Sequence, residues 1–248
     1  MKKILTICAV LLLQCVAGFS QVKQGKVVYI ADFTGVYNTA LKKGNHDLAN
    51  FMKGVAKVSK EIKLQLLFDE TQSSFTHGKV MANDFDTETY NSASEFSLDG
   101  DYYTNIRTKQ LLKTVKDDKT YLISMHPLKP EDWKLSKESK LIGKYTCYKA
   151  TSSKQVEGPK GKVNVALTAW YAPEIPVRFG PKQYSNLPGL ILEVQEGEVV
   201  YRCVGIALNQ ASKVAVNAPV KGTRITEAAY DKIIEKRLQQ FKRGNTAR

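Results

Sequence analysis

The chain has 248 residues, 25% of them charged, and a formal net charge of +13 at pH 7. It is long enough for one large domain or two small ones. The basic residues are spread along the whole chain without a stripe of interleaved aromatics, which argues against a nucleic-acid partner and favours a solvated basic surface.

The N-terminal segment has the three parts of a secretory signal peptide. Lys2 and Lys3 supply the charge, residues 4–16 are almost wholly apolar, and small residues precede a cleavage site after Ser20. The apolar run is too short to span a bilayer comfortably as a helix. We therefore predict an exported protein, periplasmic or associated with the outer membrane. Its mature chain, residues 21–248, is predicted to form a single domain without a transmembrane span.

The mature chain begins with a predicted strand and a predicted helix. Residues 26–33 are rich in β-formers, which indicates a strand. Apolar residues then recur at helical spacing within residues 35–60, and Asn45 or Asp47 is placed to cap that helix.

Short alternating segments separated by turn residues dominate the rest of the chain. The predicted strands are residues 61–68, 73–79, 102–108, 110–116, 120–125, 163–171, 190–195 and 199–208. Because strands are many and helices few, we predict a mainly β, α+β domain built on an antiparallel sheet with a helix near each end packed on it.

Two polar segments, residues 81–99 and 155–162, predict surface loops. In the first, Asp84, Asp86 and Glu88 alternate as calcium ligands do, but the glycine and the closing glutamate of an EF-hand loop are absent. We predict no metal site. The sequence has no phosphate-binding loop either, and we predict no cofactor.

The C-terminal region predicts an amphipathic helix over residues 226–242. Thr226 is placed as its cap, and the chain beyond it repeats apolar residues on one face. That face consists of Ala229, Tyr230, Ile233, Ile234, Leu238 and Phe241.

Two cysteines, Cys147 and Cys203, remain after signal cleavage, and both lie in strand-like segments. In an oxidising compartment they are candidates for one disulfide, which requires the two strands to be neighbours. The alternative is a pair of buried free thiols that pack as small hydrophobes.

Three motifs in the central part of the chain resemble those of a known family. Residues 133–135 and 142–150 are similar to its W-x-L and I-G-x-Y-x-C-x-K-A runs, and residues 168–176 to its T-A-W-Y-T-x-E-I-P run. Residues 187–191, Leu-Pro-Gly-Leu-Ile, resemble the motif that names the GLPGLI family. Asn186 stands at the first glycine of that motif, and Asn tolerates left-handed backbone angles better than most residues.

This resemblance implies an exported Bacteroidetes-type protein without an established activity, often found near outer-membrane TonB-dependent receptors. It also implies a fold similar to lipoprotein carriers, in which a curved antiparallel sheet forms a half-barrel with a helical lid. Fold similarity alone does not assign a function.

The central part also supplies the candidate binding residues, because it sets aromatic and charged side chains among prolines. The candidates are Trp170, Tyr171, Glu174, Arg178, Tyr184 and Leu187. Residues 186–191, from Asn186 through Leu187, Pro188, Gly189 and Leu190 to Ile191, are interpreted as a structural motif. Within it, Pro188-Gly189 predicts a type II turn.

These observations leave three hypotheses for the function. The first is a non-catalytic envelope protein that binds a lipid-like or peptide ligand, or an outer-membrane partner, in its concave face; an apolar cavity of several hundred Å³ would favour a lipid. The second is a structural or interaction module of an envelope complex. The third is a hydrolase, for which the sequence shows no Gly-x-Ser-x-Gly elbow and no zinc motif.

Overall fold

The computed structural model describes residues 22–78, 85–158 and 161–246. The predicted signal peptide therefore lies outside the described residues. Within the described ranges the chain forms twelve β-strands and four α-helices.

The strands, in chain order, are β1 (Gly25–Asp32), β2 (Leu64–Phe68), β3 (Gln72–His77), β4 (Asp101–Asn105), β5 (Gln110–Lys116), β6 (Thr120–Met125), β7 (Lys134–Ile142), β8 (Tyr145–Gly158), β9 (Gly161–Ala172), β10 (Leu190–Glu196), β11 (Val199–Leu208) and β12 (Thr223–Thr226). The helices are α1 (Thr34–Lys42), α2 (His46–Val58), α3 (Thr87–Ser97) and α4 (Glu227–Thr246). A short 3-10 turn covers Pro130–Asp132.

All twelve strands join one sheet in the order β12-β6-β5-β4-β3-β2-β1-β11-β10-β9-β8-β7. Neighbouring strands are antiparallel except β12, which runs parallel to β6. The sheet is open and curved, and this mainly β architecture confirms the predicted fold class. No helix in the described ranges has the length and apolar character that crossing a bilayer requires.

The first half of the sheet follows the sequence pattern closely. Alternation in β2 places Leu64, Leu66 and Phe68 in the core, as predicted. Asn45 caps α2, since its side chain accepts a hydrogen bond from the Leu48 backbone N–H at 3.1 Å. The buried residues of α2 then pack on the core beside this half of the sheet.

The loop predicted over residues 81–99 was wrong for its second half, which is α3. Asp86 caps this helix by accepting the Thr89 N–H at 2.8 Å. The helix buries Ala93 and Ser97. The helix has few apolar residues, so its sequence lacks the apolar periodicity that predicts a helix. A cap and tertiary packing stabilise it instead.

The turn or loop predicted over residues 155–162 was also wrong for residues 155–158 and 161–162, which are strand, and residues 159–160 lie outside the described residues. β8 continues to Gly158 and β9 begins at Gly161, and the two strands pair in unbroken register along this stretch. They form a long ribbon that extends past the ends of both neighbouring strands, β7 and β10.

The C-terminal helix α4 begins as predicted. Thr226 Oγ1 accepts the Ala229 N–H at 3.2 Å. Tyr230 packs on Tyr121 of β6 with ring centroids 5.5 Å apart, and Ile233 is half-buried. The side chains of Leu238 and Phe241 lie outside the described residues.

The predicted disulfide between Cys147 and Cys203 was wrong, because both are free thiols. Cys147 lies on β8 and Cys203 on β11, and β9 and β10 separate these strands in the sheet. Adjacent strands are about 4.8 Å apart, so three strand spacings exceed the Cα separation that a disulfide spans.

Candidate functional site

The segment that joins β9 to β10, residues 173–189, fills the concave face of the sheet; we call it the central segment. Phe179 packs against Phe68 of β2 with ring centroids 6.0 Å apart. Its other inward residues are equally buried and belong to the hydrophobic core. They are Ile175, Val177, Tyr184 and Leu187.

The naming motif shapes the return of this segment to the sheet. Asn186 has φ +70°, which confirms the predicted left-handed conformation. Its side chain donates to the Leu128 carbonyl at 2.7 Å, and its N–H donates to the Arg178 carbonyl at 3.0 Å. Trp133 Nε1 donates to the neighbouring Ser185 carbonyl at 3.1 Å. The motif therefore joins the central segment to the chain that precedes β7.

The type II turn predicted at Pro188-Gly189 was wrong. The Gly189 N–H bonds to the Leu187 carbonyl at 2.8 Å, which closes a three-residue γ-turn centred on Pro188. The tighter turn brings Gly189 against the end of β9, where the Ala172 carbonyl oxygen would lie 2.3 Å from an added Cβ.

A buried lysine of the central segment connects two distant parts of the sheet. Lys182 Nζ lies 3.6 Å from Asp99 Oδ1, just before β4, and 3.6 Å from Glu196 Oε2, at the end of β10. Only 10% of the lysine side chain is exposed. β4 and β10 are five positions apart in the sheet order, so the curvature of the sheet brings these carboxylates together.

Further groups complete what we call the Lys182 cluster. Asp99 also binds Lys113 Nζ at 2.5 Å and accepts the Tyr102 hydroxyl at 2.8 Å. Glu196 accepts the Tyr184 hydroxyl at 2.7 Å and pairs with Lys154. The Tyr201 ring lies under Lys182, 5.4 Å from Nζ to the centroid.

The pKa shifts in the cluster keep each group in its ordinary charge state at neutral pH. Burial alone would raise the pKa of Glu196, but Lys182 and Lys154 outweigh it and hold the value below normal. The pKa of Asp99 is likewise lowered by Lys182 and Lys113 against burial. Burial would lower the pKa of Lys182, yet its interactions with Tyr201 and Tyr102, and then with Asp99 and Glu196, raise it well above its usual value. None of the three carries a proton that it could exchange near pH 7.

These shifts predict an acid-sensitive fold. Because the pKa of Glu196 is lower in the folded state, its contribution to stability is complete above the unfolded value near 4.5 and is lost as the pH falls through the folded value. We expect the free energy of unfolding, measured with urea from pH 7 to pH 3, to fall most below about pH 4.5. Glu196→Gln should flatten this fall, and an unchanged slope would contradict the assignment.

The six predicted binding residues do not share one surface. Glu174 and Arg178 are exposed, and Trp170 is half-buried. Glu174 accepts the Thr146 N–H at 3.2 Å. Tyr171, Tyr184 and Leu187 are buried. A ligand role for the exposed members stays a prediction.

Trp170 lies instead in a charged stripe on the other face of the sheet. Lys140 Nζ is 4.3 Å from the Trp170 ring centroid and 2.6 Å from Glu193 Oε1. Arg202 Nε lies 2.9 Å from Glu193 Oε2 and also faces Asp32. Sequence reasoning missed this stripe, although Glu193, set between Leu192 and Val194 in β10, was a usable signal for a paired buried charge.

One histidine lies near a serine. His77 Nε2 is 3.1 Å from Ser94 Oγ and 3.2 Å from the Ser94 carbonyl oxygen. If Nε2 donates to that carbonyl, it cannot also take the serine proton, so this geometry fits a contact that joins β3 to α3. A catalytic triad also needs a group that orients the histidine.

Two depressions of the described surface are open and shallow. The first has a volume of about 490 Å³ and lies beside the start of β7. The second, about 350 Å³, lies on the outer face where Gly205 of β11 leaves space beside Val28 of β1. Among the described residues no three potential metal ligands cluster.

The central part of the chain matches the model of a known family. Residues 133–164 and 157–193 match the family described as "Protein of unknown function (Porph_ging)", which is uncharacterised and of Bacteroidetes type. The matched residues contain all three motifs that suggested the GLPGLI family, and that name stays a prediction. A search of curated proteins finds no match.

Two solved structures share the fold. They are structures of PNGF-II in the P21 and C2 space groups, with TM-scores of 0.50 and 0.51 and 14% sequence identity. The similarity covers 86% of this chain and 33% of each PNGF-II chain. This chain therefore spans about a third of the length of PNGF-II, and at this identity the likeness concerns the fold alone.

Proposed function

We propose that the protein is an exported, non-catalytic module of the bacterial cell envelope that binds a peptide or protein partner on its outer surface. One observation carries this proposal. The concave face, where a lipid carrier holds its ligand, is occupied by the chain's own central segment.

The central segment packs closely on the sheet in the place that an acyl chain would need. Phe179 reaches β2, and Tyr184 and Leu187 are 1% exposed. The Lys182 cluster joins the segment to both β4 and β10. Opening this face would separate a buried lysine from two carboxylates, which is costly. The outer surface is therefore the better candidate for binding.

The chemistry of the reactive groups supports a non-catalytic role. Burial raises the pKa of Cys147 and of Cys203 to about 11, so neither thiol ionises appreciably at neutral pH. The carboxylates of the Lys182 cluster stay ionised for the reasons given above. Export is supported by the signal-like N-terminal segment.

The proposal is tested by native mass spectrometry of the mature protein purified from the envelope of its own host, followed by organic extraction. We expect an apo mass with two reduced cysteines. Cross-linking in intact envelopes should then join the outer surface to a protein. Residues 21–248 produced in the cytosol provide the background sample, since that protein never meets the envelope. A lipid present at near-stoichiometric amount in the envelope sample alone would overturn the proposal.

A further inference from the structure

Strand β8 is longer than the neighbour that covers its outer edge. β7 pairs with β8 only as far as Thr151, which lies opposite Lys134 at the start of β7. From Ser152 onward β8 has a strand partner, among the described residues, only on the β9 side. We call residues 152–156 the free edge.

The register shows which backbone groups of the free edge are unpaired. Ala166 of β9 lies opposite Ser153 and accepts the Gly197 N–H at 3.0 Å, so its carbonyl faces away from β8. Ser153 and Ala166 are therefore a pair that does not exchange hydrogen bonds, and in such a pair each residue directs its N–H and C=O away from the other strand. Ser153 and, two residues on, Gln155 therefore present N–H and C=O groups at the free edge, and both residues are exposed.

Space for an added strand lies at the same place. The 490 Å³ depression begins where β7 begins and follows the free edge of β8. It is lined by Leu128, Asp132, Lys134, Thr151, Ser152 and Ser153. The hydroxyl of Ser152 donates to the Asp132 carbonyl at 2.9 Å, which fixes the floor of the depression to the chain that enters β7.

The charge around the free edge favours an acidic partner. Strands β7, β8 and β9 together carry six lysines and two glutamates. Three of these lysines are already paired with carboxylates, Lys140 with Glu193, Lys149 with Glu138 and Lys154 with Glu196. The positive charge that favours an acidic partner therefore comes from Lys134, Lys137 and Lys162. A second copy of this chain would bring the same lysines to the edge, and like charges oppose such pairing.

We propose that the free edge is a β-augmentation site, at which an acidic, extended peptide segment of a partner adds to β8 in line with β7. Main-chain hydrogen bonds to Ser153 and Gln155 supply affinity, and the lysines select for acidic side chains. This inference rests on the proposed function and names the partner chemistry and its place.

The experiment uses residues 21–248 and a blocked octapeptide of alternating glutamate and valine, with a lysine-valine octapeptide as the matched probe. We expect the acidic peptide to bind at least about tenfold more tightly at low salt, and less so at high salt. Hydrogen exchange resolved to single amides should show new protection at Ser153 and Gln155. Ser152 and Lys154 should change little, because their amides already face β9.

Two variants test the mechanism. Ser153→Pro removes an outward N–H without breaking a bond to β9 and should abolish the protection at Gln155. Lys162→Glu should weaken binding of the acidic peptide several-fold, whereas Lys232→Glu on α4 makes the same charge change away from the sheet and should not. Circular dichroism checks that each variant folds.

Two outcomes would overturn the inference. One is binding that leaves Ser153 and Gln155 unprotected and is unchanged by Ser153→Pro. The other is equal affinity for the acidic and basic peptides. In either case an envelope protein cross-linked elsewhere on the outer surface would still support the proposed function. A lipid bound at near-stoichiometric amount would contradict both the proposed function and this inference.

Discussion

Replacing Lys182 with methionine should lower the free energy of unfolding by about 3 kcal/mol, the low end of the range for breaking a buried ion pair. Methionine keeps most of the apolar stem but removes the more deeply buried of the two lysines that face Glu196, so that only Lys154 remains beside this carboxylate. Glu196 is 18% exposed, so water compensates little, whereas Asp99 is 49% exposed and is better solvated. The loss at Glu196 should therefore dominate.

Urea unfolding at pH 7 measures this effect. Lys232→Met, an exposed change of the same chemistry, should cost less than about 0.5 kcal/mol. Combining Lys182→Met with Glu196→Gln should cost less than the sum of the two single changes, because the second removes the buried charge that the first left with Lys154 as its one remaining cation. A loss below about 1 kcal/mol for Lys182→Met would mean that the cluster does not hold the central segment in place.

The strands were predictable from sequence because their signal is local. In β2 the apolar residues Leu64, Leu66 and Phe68 recur at every second position and enter the core, as the period of a strand predicts. The left-handed Asn186 was predictable for the same kind of reason, since the backbone preference of one residue decides it. The cap at Asn45 belongs to this class as well.

The features that sequence reasoning missed depend on remote contacts. Asp99, Lys182 and Glu196 lie in separate parts of the chain, and only the curvature of the sheet brings them within reach of one another. The disulfide prediction failed for the same reason, because the order of strands in the sheet separates Cys147 from Cys203. The predicted binding residues are near one another in sequence. Because side chains alternate between the two faces of a strand and the chain turns between them, some lie in the core and others on different surfaces.

Replacing Gly189 with alanine should cost about 3 kcal/mol or more, because the new methyl group meets backbone and not a movable side chain. An added Cβ would lie 2.3 Å from the Ala172 carbonyl oxygen, 2.6 Å from its carbon and 2.8 Å from the Pro173 nitrogen. These three atoms end β9 and begin the central segment. The clash therefore acts where the segment leaves the sheet and where it returns, since Gly189 directly precedes β10.

Gly143→Ala is the matched control. Gly143 has φ +59°, and no described atom lies within 4 Å of the place that an alanine methyl group would take, so alanine there should cost only about 1 kcal/mol of backbone strain. Urea unfolding compares the two variants directly, and near-ultraviolet circular dichroism reports on the packing of Tyr184 and Trp133 beside the segment. If Gly189→Ala cost no more than Gly143→Ala, the naming motif would not require glycine for close backbone approach. The Pro-Gly pair would then have to be explained by a surface role of Pro188, which is exposed, whereas Gly189 is buried.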